Sequence, residues 1–223
     1  MAVVGIGLPR RQVVDQFQRL WYGEAIEREH TYFGLQMAKC PLDMAIYAEV
    51  VHGLRPGLVV ETATREGASA LHFAHLLDQL GHGLVLSIDL GRPTADYPRH
   101  PRIAYLGGRS PVAESTLAEV EQWVKRGQGP VLIAMVSDHS RFKVAAELRA
   151  YADLVTPGSY LVVEDTATNG PREAVEEWLA TRDDYEVDLT MGEKFLVSFN
   201  TWLKRRWGPD EGEASLAPTG RWR

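Results

Sequence analysis

The chain has 223 residues, of which 45% are hydrophobic, and this is enough apolar sequence for one substantial core. Its formal net charge of −6 argues against a nucleic-acid-binding surface, and no apolar run reaches the roughly 18 residues that a membrane helix needs. The single cysteine, Cys40, excludes an internal disulfide, and the first apolar residues lack the preceding positive charges of a signal peptide. We therefore expect a cytoplasmic protein that binds neither nucleic acid nor membrane.

Two helices are predicted first, over Val13–Glu29 and Pro41–Leu54. Strands and helices then alternate: the predicted strands are Leu58–Glu61, Leu84–Asp89, Arg102–Leu106, Val131–Val136 and Tyr160–Glu164, and the predicted helices are Ser69–Leu80, Ala113–Arg126, Arg141–Tyr151 and Arg172–Ala180. Two last strands, Tyr185–Leu189 and Phe195–Phe199, are predicted to join through a turn around Gly192. This order predicts an α/β fold with a doubly wound, mostly parallel sheet and a C-terminal antiparallel hairpin.

We expect three segments along the chain: an N-terminal helical segment (1–56), the sheet domain (57–206) and a tail (207–223). The tail is rich in glycine, proline and charge, which is typical of disordered chain. The aromatic side chains of the N-terminal segment either cover a bound substrate or pack on the core or on another subunit; they are Phe17, Trp21, Tyr22, Tyr32 and Phe33. Packing is the more usual role of aromatic residues at helical spacing. We also expect a homo-oligomer.

The most informative segment is the loop between the first predicted strand and its helix. An apolar run ends in the acid Glu61, the loop passes through Ala63 to Gly67, and a helix begins near Ser69. Glycine lets the backbone approach a ligand closely, and a helix start offers free N–H groups. The segment lacks the glycine patterns of nucleotide sites, and its acid suits a cation better than a phosphate. It predicts either a site for S-adenosylmethionine, which carries a sulfonium and an ammonium, or an ordinary strand-to-helix turn.

Polar residues also follow the next strands of the predicted sheet, at the edge where such folds bind ligands. Asp89 stands 22 residues after Gly67 (89 − 67), which matches the acid that binds a ribose diol about 20 residues after the glycine loop. The alternative for Asp89 is a solvated acid at a strand end. The loop that ends in Ser110 reaches the same edge, so Ser110 is a further candidate for cofactor contact.

Three acids follow the fourth and fifth predicted strands, namely Asp138, Glu164 and Asp165. If these strands are neighbours, the carboxylates converge and repel one another, and a bound cation would relieve the repulsion. Oxygen ligands without cysteine favour Mg²⁺ over zinc. The alternative is that Asp138 caps the helix near Arg141 while the other two acids enter a solvated loop.

His139 is the best candidate for a general base, because it stands beside these acids in the sequence. A positioned histidine that takes up a proton in the transition state accelerates a reaction roughly 10²–10⁴-fold. The alternative is a structural histidine that bonds to the backbone at a helix start.

Several segments together resemble one known family. They are Lys39-Cys40-Pro41-Leu42-Asp43, Arg55-Pro56 before Val60-Glu61-Thr62, Gly67-Ala68-Ser69-Ala70, Ser137-Asp138-His139-Ser140, Glu147-Leu148-Arg149-Ala150-Tyr151 and, most specific of all, Val155–Thr166. From about Tyr32 to Arg206 the chain resembles the cephalosporin hydroxylase-type family of S-adenosylmethionine-dependent O-methyltransferases. That family includes sugar O-methyltransferases of antibiotic pathways.

The resemblance implies a class I methyltransferase fold with a magnesium site near the ends of the fourth and fifth strands. It implies S-adenosylmethionine near Glu61, Gly67, Ser69 and Asp89. The chain departs from the family at two positions. Ala63 stands where the family usually has glycine, and Val136 stands at the first acid of the family's Asp-Ser-x-His pattern. Either Asp138 replaces that acid as a metal ligand, or the site is free of metal.

The function that the resemblance implies is Mg²⁺-assisted methyl transfer to a hydroxyl of a small molecule, either a sugar or a polyketide-type natural product. His139 and the neighbouring Asp138 are the catalytic residues of this hypothesis. One alternative is an enzyme of the same fold with other chemistry, such as a hydroxylase component. Another is a non-catalytic partner that binds S-adenosylmethionine without turnover, which Ala63 and Val136 favour.

Overall fold

The computed structural model describes residues 10–91, 96–135, 139–166, 169–194 and 201–208. Helices α1 (Arg10–Gly23) and α2 (Ile26–Glu29) come first. The single helix predicted over Val13–Glu29 is wrong, because Ala25 between the two helices has a φ of 57°, in the left-handed region. A small hairpin that we did not predict follows, formed by β1 (Thr31–Tyr32) and β2 (Leu35–Gln36).

Helix α3 (Pro41–Leu54) has the predicted bounds and leads into the main sheet. The remaining elements are β3 (Leu58–Thr62), α4 (Ala68–Leu80), β4 (Leu84–Asp89), β5 (Ile103–Gly107), α5 (Glu114–Arg126), β6 (Val131–Met135), α6 (Arg141–Tyr151), β7 (Tyr160–Val163), α7 (Asn169–Leu179), β8 (Tyr185–Val187), α8 (Leu189–Lys194) and β9 (Thr201–Arg205). The predicted strands and helices from Leu58 to Ala180 are all present, with ends within three residues of the predicted ones.

The seven strands of the main sheet lie in the order β5-β4-β3-β6-β7-β9-β8. The first five strands in this order are parallel, and β9 is antiparallel to both of its neighbours. The predicted doubly wound α/β fold is therefore confirmed. The strand order reverses between β3 and β6, and the crevice outside their carboxyl ends is where such sheets bind ligands.

The C-terminal strands are antiparallel as predicted, but their connection differs from the prediction. Helix α8 occupies the position of the predicted turn around Gly192. Asp188 explains the difference, because its Oδ1 accepts a hydrogen bond from the backbone N–H of Thr190 at 3.0 Å, as a helix cap does. The predicted strand Phe195–Phe199 lies outside the described residues, as does the predicted tail beyond Gly208.

Two apolar clusters cover the two faces of the sheet, because successive strand residues point to opposite sides. Val59 belongs to the cluster under α3 and α4, and its neighbour Val60 belongs to the cluster under α6 and α7. On the α3 side the ring of Tyr47 packs at 5.0 Å from Phe73 and at 4.8 Å from Trp202, measured between ring centroids. Among the described residues, no helix combines the length and the apolar character that crossing a bilayer requires.

Candidate active site

Three adjoining cavities lie along the carboxyl edge of the parallel strands. The central cavity has a volume of about 330 Å³, and its lining includes Ala63, Arg65, Asp89, Leu90, Pro111 and His139. A smaller cavity of about 70 Å³, here called the acidic pocket, shares part of this lining and extends to Lys39, Asp43, Ser69, Glu164 and Asp165. On the other side an apolar cavity of about 150 Å³ shares Leu90 and Pro111 and extends to Ser110 and Val112. The three cavities form one groove with an acidic end and an apolar end.

Asp89 holds the loop that follows β3. Its Oδ2 accepts hydrogen bonds from the backbone N–H groups of Thr64 at 2.8 Å and Arg65 at 3.0 Å, and its Oδ1 accepts one from Gly91 at 2.7 Å. A carboxylate can accept about four hydrogen bonds, so these described contacts leave room for a further donor. Asp89 therefore shapes the loop and also faces the central cavity.

Glu61 lies below this loop, fully buried, and is not among the lining residues of the three cavities. Its two carboxylate oxygens accept hydrogen bonds from Ser69 and Ser87, both at 2.7 Å. Burial raises the pKa of the Glu61 carboxyl, and the charge of Lys39 and the two hydroxyl groups oppose that shift. Ser87 also contacts the Thr64 hydroxyl at 2.6 Å. Glu61 thus fixes the start of α4 and the loop, and its direct contact with a cofactor stays a prediction.

Gly67 and Ala63 have different roles in the same loop. Gly67 has a φ of 80°, and a Cβ there would lie 2.7 Å from Cδ of Pro98. The packing of the protein itself therefore requires a glycine at position 67, whether or not a ligand is bound. Ala63 lines the central cavity and is not among the residues with positive φ, so its methyl group does not strain the backbone. That methyl group does occupy space at the cavity wall.

His139 and Asp165 meet where the central cavity joins the acidic pocket. Nε2 of His139 lies 3.5 Å from Oδ2 of Asp165, and the histidine side chain is 52% exposed. Tyr22, from α1, donates a hydrogen bond to the other oxygen of Asp165. Burial and the nearby Asp165 charge raise the pKa of the Tyr22 phenol. Of the N-terminal aromatic residues, Trp21 packs in a buried cluster as we expected, whereas Tyr22 contacts Asp165, which lines the acidic pocket.

Glu164 is another predicted site residue in the acidic pocket, and it is almost completely buried. Its Oε1 accepts hydrogen bonds from the Lys39 ammonium at 2.5 Å and from the Tyr47 hydroxyl at 2.7 Å. Burial raises the pKa of Tyr47, and the Glu164 charge raises it further. Lys39 and Tyr47 were not predicted as site residues from the sequence. The one signal for Lys39 was its place in a segment that carries the family resemblance.

The carboxylate oxygens of Glu164 and Asp165 are the hard donors that Mg²⁺ prefers, and both face the acidic pocket. Within the described part of the chain, no group of three His, Cys, Asp or Glu side chains is arranged to hold a metal ion. The third predicted ligand, Asp138, lies outside the described residues, as does Val136. The donor chemistry therefore fits a divalent cation, with two of the three predicted ligands in the pocket.

Comparison with known proteins assigns the family. A family model described as rhamnosyl O-methyltransferase/CmcI matches residues 24–206. The rhamnosyl O-methyltransferase of Mycobacterium leprae (strain TN) is 32% identical over 207 residues, which cover 86% of this chain and 90% of the relative. The rhamnosyl O-methyltransferase of Mycobacterium tuberculosis (strain ATCC 25618 / H37Rv) is 32% identical over 202 residues, which cover 84% of this chain and 82% of the relative.

Solved structures share the fold. A structure of CmcI with Mg and SAM has a TM-score of 0.62 and 22% identity, and the match covers 81% of this chain and 78% of that chain. A structure of the MycE methyltransferase from the mycinamycin biosynthetic pathway, in complex with Mg, SAH and mycinamycin VI, has a TM-score of 0.52 and 14% identity. That match covers 84% of this chain and 54% of the other.

Proposed function

The chain belongs to the rhamnosyl O-methyltransferase/CmcI family, and we propose that it transfers the methyl group of S-adenosylmethionine to a hydroxyl group of a rhamnosyl-type sugar. The observation that carries this proposal is the groove at the carboxyl edge of the sheet, with Asp89 at its centre and His139 toward its acidic end. The names of the curated relatives supply the acceptor class. A sugar on a small natural product is the acceptor that we expect.

The chemistry of the groove supports a cofactor that occupies the central and apolar cavities. Asp89 suits the ribose diol, since its described contacts leave room for a hydroxyl donor. Leu90 and Val112 are apolar side chains that are 65% and 38% exposed at this end, and an adenine ring would cover them beside Ser110. The carboxylate of Asp165 favours the positive sulfonium at the other end. In this arrangement Glu61 and Gly67 shape the loop, and Ala63 and Ser69 line the groove.

S-adenosylmethionine supplies the methyl group, whose bond to sulfur breaks as the bond to the acceptor oxygen forms. In our proposal His139 removes the proton of the acceptor hydroxyl. Asp165, at 3.5 Å from Nε2 of the histidine, orients the imidazole ring. The buried side chains of Glu164 and Lys39 line the acidic pocket and limit the space available to water beside the reacting hydroxyl.

Methyl transfer itself tests the proposal. The protein is incubated with methyl-labelled S-adenosylmethionine and a panel of rhamnosides, other glycosides and sugar-free alcohols, and the products are identified by mass spectrometry. We expect label in an O-methyl group of a rhamnoside and none in the sugar-free alcohols. Cofactor binding without transfer to any acceptor would favour a non-catalytic partner, and an oxidised acceptor would favour a hydroxylase component.

Magnesium is part of the proposal as an assisting ion, held by Asp165, Glu164 and Asp138. When bound there it would lower the pKa of an acceptor hydroxyl and hold that hydroxyl in place. We expect exhaustive chelation to lower kcat roughly tenfold or more, and added Mg²⁺ to restore it. Calorimetry should show that the affinity for S-adenosylmethionine changes little. Full activity in the presence of chelator would show that the reaction does not need a metal ion. The valine at position 136, where the family has an acid, would then explain why the metal site is lost.

The N-terminal segment 1–56 exposes apolar side chains, which supports the prediction of a homo-oligomer. Leu20 is 51% exposed, Ile26 39% and Phe33 78%. A second copy of the chain would cover such a surface. We expect light scattering to give a mass of at least a dimer, and replacement of Leu20 and Phe33 by serine to lower that mass. A monomeric wild type would contradict this part of the proposal.

A further inference from the structure

The acidic pocket contains a buried cation of its own. The Lys39 side chain is 6% exposed, and its Nζ lies 2.5 Å from Oε1 of Glu164, whose side chain is 5% exposed. Tyr47 donates a hydrogen bond to the same oxygen at 2.7 Å. Because Oε1 already has two donors, one of them an ammonium, Glu164 has less negative charge to offer a second cation.

The position of Lys39 makes it a partner of two buried carboxylates. Besides its ion pair with Glu164, its charge lowers the pKa of Glu61, which lies fully buried below the loop after β3. Asp43, Glu164 and Asp165 line the acidic pocket together with Lys39. A positive charge in this position offsets part of the negative charge that would attract a divalent ion.

From this geometry we infer that Lys39 is a positioning residue that holds Glu164 by one oxygen and weakens the affinity of the acidic pocket for divalent cations. Glu164 then contributes little to metal binding while Lys39 is paired with it. The inference rests on the proposed function only for the presence of a metal ion. Its test measures metal binding and not methyl transfer, so the two proposals fail separately.

The first test is calorimetric titration of the full chain with MnCl₂, at about pH 8 to keep the carboxylates ionised. We expect Lys39→Gln to bind Mn²⁺ roughly tenfold or more tightly than the wild type, because it removes a positive charge beside the ligands. Lys39→Arg keeps the charge and should stay within about threefold of the wild type. Tyr47→Phe is the matched control, since it removes a neutral hydrogen bond from the same oxygen, and it should also stay within about threefold.

A merely structural role of Lys39 would weaken metal binding in the Lys39→Gln variant rather than strengthen it. Equal or weaker Mn²⁺ binding in the folded variant would overturn the inference, as would the absence of binding in both the variant and the wild type. Binding that is detected only in the variant supports it. The dissociation constant of S-adenosylmethionine and the circular dichroism spectrum show whether each variant is folded.

A second comparison keeps the inference testable if Lys39→Gln does not fold. The double variant Lys39→Gln/Glu164→Gln should bind Mn²⁺ within about threefold of the wild type, because it removes the two opposite charges of the ion pair together. Asp165→Asn should weaken Mn²⁺ binding roughly tenfold or more, because it removes a charged carboxylate that lines the acidic pocket. Equal losses in the two variants would show that Glu164 is a full ligand despite Lys39, and the inference would be wrong.

Discussion

Replacement of Asp89 by alanine is expected to weaken the binding of S-adenosylmethionine roughly 100-fold or more, because hydrogen bonds to a charged group contribute about 1.5–3 kcal/mol each. The variant loses the proposed contacts to the ribose diol. It also loses the hydrogen bonds to the backbone N–H groups of Thr64, Arg65 and Gly91 that hold the cofactor loop. Calorimetric titration of the purified variant with S-adenosylmethionine measures the effect.

Two further variants separate the ribose contact from a general effect of charge. Asp89→Asn keeps the shape and one acceptor oxygen, so its loss of affinity should be smaller than that of Asp89→Ala. Asp96→Asn removes an exposed acid of the following segment and should leave the affinity unchanged. An Asp89→Ala variant with the affinity of the wild type would contradict the ribose assignment.

Replacement of His139 by alanine is expected to lower kcat roughly 10²–10⁴-fold, the contribution of a positioned general base. The affinity for S-adenosylmethionine should change little, because His139 acts on the acceptor proton in our proposal. A higher pH should restore part of the activity of the variant, since hydroxide can then remove the proton. The measurement is kcat as a function of pH for the wild type and the variant.

His75→Ala is a matched control for His139→Ala. His75 lies on α4, and its Nδ1 is 2.9 Å from the Tyr32 hydroxyl, outside the lining of the three cavities. This control should keep the wild-type kcat. If His139→Ala also kept it, His139 would no longer be the candidate base, and Asp138 and Arg141 would be the residues to test next.

The fold could be predicted where burial imposes a pattern on the sequence. The strand Leu58–Thr62 is fully buried and begins with an apolar run, so its position could be predicted. The alternation of strands and helices then predicted that its neighbours in the sheet are parallel to it. Short elements escaped prediction because single residues determine them. The β1–β2 hairpin depends on positive φ angles at Phe33 and Gly34, and α8 depends on the side chain of Asp188.

The site was predictable only where its residues follow strands of the sheet. Asp89 and Asp165 stand at strand ends, and the rule that ligands bind at the carboxyl edge brings them together. Lys39 of the N-terminal segment lines the same pocket, 125 residues before its partner Glu164, and Tyr22 contacts Asp165 there. Such contacts result from tertiary packing and have no periodic signal. The burial of Glu61 below the loop also results from tertiary packing, so the sequence did not predict it.

A crystal structure of the chain with S-adenosylhomocysteine tests the proposed cofactor site, because it shows which part of the groove the cofactor occupies. We expect the ribose hydroxyls within hydrogen-bond distance of the Asp89 carboxylate, and the adenine ring against Leu90 and Val112. We expect the sulfur atom near Ala63, on the side of His139. A cofactor bound elsewhere on the protein, or one whose ribose does not contact Asp89, would contradict the account.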